Sequence, residues 1–334
     1  MSIMRGSTSV STLYKGATQV VRVYRGAVLI WPTAKTNTAS DRSLVFDFAA
    51  GSMPINATVT RAGMAWRWND QKVLVAVPPN GGRIDYDGET GTLLGLLIEP
   101  AAANLLAWGR RLGEGVATGE WATTSVSVAD NVTGRDGGAN KASTLSARAD
   151  AATILAAKTA SLNDYTFSAW VRRKTGYGRI DITVDGGASW IEMTAHFLGR
   201  EWVRIGTHLL GTGAVLSNPS VGFRFDESGD EIEVDLCQLE AGPVATSEIP
   251  TEGSVRSRSA EMLRCTNITG AGTGYGYTFA WPPAALLRNA RWLRRLDFSN
   301  VMTARSLDAA ISYRTDELGR PTYTQTVTNA TLTL

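Results

Sequence analysis

Arg83 to Leu106 read RIDYDGETGTLLGLLIEPAAANLL. The first part of this stretch is acidic and rich in turn-forming residues, and the second part contains Leu93 to Ile98, an apolar run of strand length. Upstream, Val73 to Val77 shows the same short, alternating character before a pair of prolines. This pattern of turns and short strands predicts a compact β layer.

Downstream, the chain from Trp108 to Pro250 carries strand-sized runs at roughly even spacing, with Gly- and Asp-rich turns between them. The runs are Thr124–Val128, Ala152–Ala156, Tyr165–Val171, Ile180–Val184, Trp190–Met193, Trp202–Ile205, Val221–Phe225 and Ile232–Leu239. Short strands at this spacing are typical of two antiparallel sheets packed face to face. The sequence therefore predicts a mainly β protein whose largest unit is an antiparallel β-sandwich.

The composition agrees with a β protein of two or three small domains. The chain has 334 residues, of which 43% are hydrophobic and 34 are Gly. Lys and Arg number 33 and Asp and Glu number 31, so the net charge is only +2. A charge this small does not attract nucleic acid or an anionic membrane to the protein as a whole. The N-terminal region lacks a signal-peptide pattern, and no apolar run approaches the ~20 residues that cross a bilayer. We therefore expect synthesis as a soluble cytoplasmic chain without membrane insertion.

An internal repeat with a period of ten residues occupies the N-terminus, in the units Met4–Thr8, Tyr14–Thr18 and Tyr24–Val28. Each unit places an aromatic residue or Met, a basic residue and Gly before a small residue and an apolar ending. Gly at a fixed interval supplies the positive φ of tight hairpin turns, so the repeat predicts three short antiparallel strands. Such a small meander needs a partner, which is the rest of this chain, an identical neighbour or a particle to which the protein docks.

Composition shifts divide the chain into four segments. The polar stretch Thr33 to Ser40 has the composition of an exposed linker, and the C-terminal segment contains leucines and an alanine at helical spacing, which predict a short helix. Those helical positions are Leu286, Ala290, Leu293 and Leu296. The predicted segments are an N-terminal β-repeat attachment segment (1–35), a small β-rich domain (36–107), the sandwich (108–256) and a C-terminal β-rich region (257–334).

Several segments resemble, in the same order, a module of tailed-phage and prophage fibre proteins. Arg83 to Leu106 is similar to that family's "FDYDPVTGAPRGLLIEEARTNLL", and Leu44 to Asn69 (LVFDFAAGSMPINATVTRAGMAWRWN) is similar to its opening. Asp164 to Val171 (DYTFSAWV) and Glu240 to Thr251 (EAGPVATSEIPT) follow, so the likeness covers about two-thirds of the chain. The resemblance implies a fibre or tail structural protein, of a phage or of a particle such as a gene transfer agent, with a carbohydrate-binding-like jelly roll.

The residues that carry enzyme chemistry are few. His196 and His208 belong to no HExxH motif and to no GxSxG elbow, and the chain has no phosphate-binding glycine loop. Cys237 and Cys265 lie outside any CxxC or Cys/His grouping, which argues against a zinc site or a disulfide framework. We predict a protein that is not an enzyme and has no cofactor and no metal site. The acidic run Asp226 to Asp235 leaves two alternatives open, a glycosidase carboxylate pair and a structural Ca²⁺.

Glycan binding requires an exposed aromatic ring for the apolar face of a sugar, with planar hydrogen-bonding side chains beside it. Apolar residues bracket Trp170 and Trp202 on predicted strands, so we assign both to the core. Other aromatic residues lie at strand ends or beside Gly-rich turns, with polar residues near them in the sequence. The predicted carbohydrate-binding residues are Trp190, Tyr177, Trp121, Arg179, Asp185 and Glu192.

These observations favour a virion structural protein that displays a β-sandwich for adsorption to a bacterial surface polysaccharide. We expect it to assemble in the cytoplasm of the bacterial host and to contact other virion proteins through the N-terminal repeat. We also expect a homo-oligomer, with a trimer favoured because fibres commonly trimerise. One alternative is a purely structural tail, baseplate or head-decoration connector that binds no glycan, and a glycan depolymerase is a further one.

Overall fold

The computed structural model describes the sandwich region almost completely, together with parts of both flanks. The described residues are 13–15, 18–20, 23–25, 28–31, 45–54, 57–196, 199–207, 214–265, 292–297, 309–315 and 321–327. Strands dominate them. The mainly β fold class predicted from the sequence is confirmed.

Two hairpins occupy the N-terminal repeat. Their strands are β1 (Leu13–Lys15), β2 (Thr18–Val20), β3 (Val23–Arg25) and β4 (Val28–Trp31). β1 pairs with β2 and β3 pairs with β4, both antiparallel. The second and third repeat units thus each span a hairpin, which corrects the prediction of one strand per unit, and the first unit lies outside the described residues.

The segment before the sandwich consists of short strands. They are β5 (Val45–Asp47), β6 (Ala57–Thr60), β7 (Ala65–Trp68), β8 (Leu74–Val77), β9 (Arg83–Tyr86), β10 (Leu93–Leu97) and β11 (Ala102–Asn104), with a 3-10 turn at Phe48–Ala50 after β5. β7 pairs with β8 and β9 pairs with β10, so this part of the chain contains two antiparallel hairpins.

The sandwich begins with a short helix. Its elements are α1 (Leu112–Ala117), β12 (Ala122–Thr124), β13 (Val126–Val132), β14 (Ala142–Ala147), β15 (Ala152–Ala157), β16 (Asn163–Thr175), β17 (Ile180–Thr183), β18 (Ile191–Glu192), a 3-10 turn (Thr194–His196), β19 (Val203–Gly206), β20 (Ala214–Leu216), β21 (Ser220–Phe225) and β22 (Glu231–Ala241). One sheet has five strands in the order β12-β15-β21-β17-β18. The second has six, in the order β13-β14-β22-β16-β19, with β20 also paired to β16. All pairs are antiparallel, which gives the predicted jelly-roll-like sandwich.

The sandwich core lies between the two sheets. On β16, Tyr165, Phe167, Ala169 and Val171 enter the core, because every second side chain of a strand points to the same face. Phe167 meets Phe223 of the opposite sheet with ring centroids 5.6 Å apart and an interplanar angle of 70°. Burying each large apolar side chain stabilises the fold by roughly 1.5–3 kcal/mol.

The strands after the sandwich return to those before it. They are β23 (Arg256–Arg258), β24 (Met262–Cys265), β25 (Trp292–Asp297), β26 (Ala309–Thr315) and β27 (Pro321–Val327). β23 pairs with β11, β24 with β6, and β25 with both β10 and β5. The segments 36–107 and 257–334, which the sequence separates, therefore share sheets. We call β5–β11 together with β23–β25 the flanking layer.

The predicted C-terminal helix is wrong where the structure describes it. Leu293 and Leu296 lie on β25, whose backbone pairs with β10, β5 and β27. The leucine spacing suits a helix, but hydrogen bonds to neighbouring strands override this local preference. Leu286 and Ala290 lie outside the described residues.

A buried Arg–Glu network holds the flanking layer together. Its members are Arg61, Arg83, Arg258, Glu99 and Glu261, whose side chains are at most 1% exposed. Arg83 Nη2 lies 2.5 Å from Glu261 Oε2 and 3.0 Å from Glu99 Oε2, and Arg61 Nη1 lies 2.6 Å from Glu261 Oε1. Arg83 also donates to the Ser247 hydroxyl at 2.7 Å.

Candidate functional site

The outer face of the six-stranded sheet is partly covered by the chain itself. Trp170 of β16 alternates with the core residues, so its side chain lies on this outer face, where it is 3% exposed. Its ring lies 4.8 Å from the ring of Trp68 on β7, and both indole N–H groups donate to Glu248. The assignment of Trp170 to the core is therefore corrected: it is buried beneath the flanking layer and outside the sandwich core.

Arg135 and the β9–β10 turn complete this cover. The Arg135 guanidinium lies 4.6 Å from the Trp68 ring and 4.5 Å from the Trp170 ring, and it donates to the Gly88 carbonyl at 2.5 Å. Burial lowers the pKa of Arg135 to about 10, although Glu248 and Asp235 oppose the shift. A ligand for this part of the sheet would have to displace the turn and the arginine.

The outer face of the five-stranded sheet carries a row of charged side chains. Arg224 of β21 pairs in register with Asp181 of β17, which pairs in register with Glu192 of β18. Ile180 and Ile182 flank Asp181 in the sequence and enter the core, so Asp181 points to the opposite face. Residues that are distant in the sequence thus meet on one face.

Two guanidinium groups share the Asp181 carboxylate. Arg179 Nε donates to Oδ1 at 2.7 Å, and Arg224 donates to Oδ2 through Nε at 3.0 Å and also through Nη2. The Asp181 side chain is 1% exposed, whereas the Arg179 side chain is 44% exposed. The buried carboxylate fixes both arginines while their outer parts reach solvent.

Trp190 lies beside Arg224. The Arg224 guanidinium lies 5.0 Å from the centre of the Trp190 ring, and the indole is half-buried. Gly187 leaves room for the ring, because a Cβ there would lie 2.8 Å from Trp190 Cζ2. Arg179, Asp181, Trp190, Glu192 and Arg224 together are named the Trp190 surface.

Asp185 supports the turn before Trp190. Its Oδ1 accepts the Thr183 hydroxyl at 2.8 Å and the Ser189 N–H at 2.9 Å. Burial acts to raise the pKa of Asp185, but these donors outweigh it and the pKa lies below its ordinary value. Asp185 therefore shapes the turn that carries Trp190.

Tyr177 protrudes from the β16–β17 turn and is 98% exposed. The turn folds over Asp230, which leaves no room for side chains at Gly176 and Gly178, where a Cβ would lie 1.6 and 2.3 Å from the carboxylate. Gly176 also has a φ of +80°, which favours glycine. The turn thus presents Tyr177 to solvent two residues before Arg179.

Trp121 does not belong to any exposed surface, so its prediction as a sugar-binding residue is wrong. It is 1% exposed, packs in the sandwich core, and its indole N–H donates to the Trp108 carbonyl at 2.9 Å. Gly115 lies against the ring, where a Cβ would approach Trp121 Cδ1 to 2.4 Å. Helix α1 therefore buries Trp121.

The sequence prediction missed Asp181 and Arg224. The signal was present, because a charged residue between two apolar ones, as in Ile180-Asp181-Ile182 and Phe223-Arg224-Phe225, indicates the outer face of a strand. The sequence does not say that β17 and β21 are neighbours. That pairing brings the two side chains together.

The acidic residues of β22 are engaged with basic neighbours. Asp235 is fully buried and accepts from Arg110 Nε at 2.8 Å. Glu233 pairs with Arg172, and Glu231 lies 3.2 Å from Lys174. No group of at least three potential metal ligands occurs among the described residues. Within the same part of the chain, no helix is both long and apolar enough to cross a membrane.

A shallow cleft of about 440 Å³ lies away from the Trp190 surface. It is formed by β11, β23 and the end of β22, and is lined by Ala101, Ala102, Ala103, Leu105, Ala241, Ser257, Arg258 and Ser259. Small side chains dominate this lining, and Arg258 is already engaged in the buried Arg–Glu network. The cleft does not combine an aromatic ring with planar polar groups.

No protein-family model matches the chain, and no curated protein matches it. Among solved structures, the C-terminal CBM6 of LamC, a marine laminarinase from Zobellia galactanivorans, is similar at 10% identity and a TM-score of 0.27, over 38% of this chain and 95% of that one. The CBM22-1 xylan-binding domain of Paenibacillus barcinonensis Xyn10C is similar at 13% identity and a TM-score of 0.27, over 43% and 94%. The CBM22-1-GH10 modules of Clostridium thermocellum xylanase 10B, complexed with xylohexaose, are similar at 10% identity and a TM-score of 0.28, over 46% and 30%.

Proposed function

We propose that this chain is a non-catalytic glycan-binding structural protein of a tailed phage or a phage-derived particle. The Trp190 surface makes the contact with the glycan. The observation that carries this proposal is the half-buried Trp190 ring beside Arg224, which shares one buried carboxylate, that of Asp181, with Arg179.

The chemistry of this surface suits a sugar. An aromatic face packs against the C–H groups of a pyranose ring, and planar guanidinium and carboxylate groups bond to its hydroxyls. Arg224 supplies such a group next to Trp190, and Arg179 and Glu192 supply others around Asp181 on the same face of the sheet. Because Asp181 restrains the arginines, less side-chain freedom is lost when a ligand binds. Tyr177, in the turn before β17, is a second exposed aromatic ring.

The virion role rests on the sequence resemblance to phage fibre modules. In this proposal the flanking layer is the frame that carries the sandwich, and the N-terminal hairpins dock to other virion proteins. The chain assembles in the host cytoplasm as a homo-oligomer, a trimer being favoured, and is then part of the particle. Bacterial surface polysaccharide is the ligand.

A binding role fits the carboxylates better than a hydrolytic role does. Asp181 lies between two guanidinium groups and Asp235 is paired with Arg110. A glycosidase requires two carboxyl groups that reach the glycosidic bond, whereas both of these are buried and held by arginine side chains.

The second candidate is a structural connector without a glycan ligand. The cover over Trp170 favours it, because one sheet face of the sandwich is already occupied by a contact within the chain. In that case the Trp190 surface would contact another virion protein.

Trp190→Ala in the full chain tests the proposal. We expect binding to weaken about fivefold or more on an array of bacterial surface polysaccharides, because stacking on a ring contributes about 1 kcal/mol. Val255→Ala, an exposed apolar residue after the sandwich, is the matched control and should bind normally. If no polysaccharide binds, or if Trp190→Ala binds as well as the natural protein, the structural connector is the favoured function.

A further inference from the structure

We infer that the Trp190 surface selects a carboxylate-bearing sugar and that Arg179 binds the carboxylate. This inference rests on the proposed function and specifies its ligand class. It applies equally to a uronic acid, a nonulosonic acid or a sugar with a carboxylated substituent, because the recognised group is the same.

The donors of the two arginines are used unequally. Arg224 directs Nε and Nη2 to Asp181, and its guanidinium also lies against Trp190. Arg179 reaches Asp181 only through Nε, and among the described residues its Nη1 and Nη2 have no hydrogen-bond partner. Arg179 therefore has more donors available to a ligand than Arg224 has, and its side chain is the more exposed of the two.

The carboxylates next to Arg179 determine what a ligand anion has to displace. Arg179 and Arg224 carry two positive charges, Asp181 and Glu192 carry two negative charges, and Asp226 is a further acid that acts on Arg179. Asp181 is buried between the two arginines, whereas the Glu192 carboxylate lies 3.9 Å from Arg179 Nε and its side chain is 54% exposed. An ion pair this open in water contributes little, so a ligand carboxylate can replace Glu192 beside Arg179.

Geometry explains why a carboxylate suits Arg179 better than a hydroxyl does. The guanidinium presents parallel N–H groups that match both oxygens of a carboxylate, and such charge-assisted pairs are about twice as strong as neutral hydrogen bonds. Asp181 holds the Arg179 side chain at Nε, which leaves the terminal fork for the ligand.

The experiment compares acidic bacterial polysaccharides with the same polymers after chemical reduction of their carboxyl groups to alcohols. Binding of the full chain to immobilised polymers is measured at low and at moderate salt. We expect at least one acidic polymer to bind, with affinity at least tenfold lower after carboxyl reduction and a decrease in affinity with salt. A phosphate-bearing, carboxylate-free polymer is included to detect general attraction of anions.

Three variants assign the roles. Arg179→Ala should lower the affinity for the acidic polymer at least tenfold, and Arg179→Lys should recover only part of it, because Lys has no planar fork. Glu192→Gln should increase the affinity for the acidic polymer about three- to tenfold, because a like charge is removed, and should leave the reduced polymer unchanged. Arg256→Ala, an exposed arginine on β23, is the control and should have no effect. Thermal unfolding verifies that each variant is folded.

The outcomes separate this inference from the proposed function. Equal binding of native and reduced polymers, with loss in Trp190→Ala, overturns the carboxylate selectivity and leaves a glycan-binding protein. Equal binding of the phosphate polymer, or weaker binding of the acidic polymer by Glu192→Gln, also overturns it. Failure of every polymer to bind overturns both.

Discussion

At the scale of single residues, close packing decides the identity of Gly88. The turn that contains it lies directly on two indole rings, and a Cβ at Gly88 would lie 2.7 Å from Trp170 Cη2 and 2.8 Å from Trp68 Cε2. Neither ring is free to move, because Glu248 accepts both indole N–H groups. Gly88 is thus required because a larger residue would collide with the two rings, and not because of its backbone conformation.

Gly88→Ala should therefore destabilise the protein by about 1–3 kcal/mol, the usual cost of overpacking a well-packed site. Urea unfolding followed by tryptophan fluorescence measures this loss. Gly63→Ala is the control, because a Cβ there would meet only Ser259 Oγ at 3.9 Å. If both variants were equally stable, the turn would not be packed against the rings as described.

At the scale of elements, one side chain anchors the strand β25 to β9. The indole N–H of Trp292 donates to Asp85 Oδ2 at 2.8 Å, and the Trp68 backbone N–H donates to Oδ1 at 2.8 Å. Burial raises the pKa of Asp85 to about 7, although the donors from Trp292 and Trp68 and the charge of Arg83 oppose the shift. The attachment of β25 is thereby linked to a titratable group.

The sign of this pH dependence follows from the raised pKa. Between about pH 4 and pH 7 the folded protein keeps a proton on Asp85 that the unfolded chain loses. The stability contributed by that proton is present below about pH 4 and is lost as the pH rises through 7. Above that pH, the hydrogen bonds from the Trp68 and Trp292 N–H groups stabilise the ionised Asp85 carboxylate in the folded state.

Trp292→Phe removes one of those donors and should destabilise the fold by about 1–2 kcal/mol at pH 8, because a buried acceptor loses its partner. The loss should be smaller at pH 5, where Asp85 is protonated in the folded state. Chemical unfolding at both pH values tests this. In an Asp85→Asn background the same substitution should show no pH dependence, and a persisting dependence would assign it to another group.

At the scale of the whole molecule, the buried Arg–Glu network connects segments on both sides of the sandwich. Arg61, Arg83 and Glu99 precede the sandwich in the chain, whereas Ser247, Arg258 and Glu261 lie at its end or beyond it. The sandwich is therefore an insertion between two parts of the flanking layer. A buried ion network of this kind is weak as a source of stability but is costly to break.

Arg83→Met should destabilise the protein by about 3–5 kcal/mol, because Glu99 and Glu261 both lose a partner while they remain buried. Differential scanning calorimetry and urea unfolding measure the effect. Arg256→Met, at an exposed position on β23, should change stability by less than about 0.5 kcal/mol. A loss of stability below about 1 kcal/mol for Arg83→Met would mean that the network does not hold the two parts of the flanking layer together.

The mainly β class and the strands of the sandwich between Trp108 and Pro250 follow from the sequence alone, whereas the sugar-binding role of Trp190, Arg179 and Glu192 stays a prediction. Alternation and turn composition are local properties, so strands and their outer faces are readable without neighbours. The same locality explains the errors. Trp121 lies beside a turn but is covered by helix α1, and Leu293 and Leu296 have helical spacing but lie in a sheet.

Which strands are adjacent is visible in the tertiary structure and not in the sequence. The tertiary structure placed Arg224 beside Asp181, showed that Trp170 lies outside the sandwich core under the flanking layer, and joined the two ends of the chain in shared sheets. Strand order in a sheet depends on hydrogen bonds and side-chain burial between residues far apart in the sequence, and a single sequence does not record those pairings.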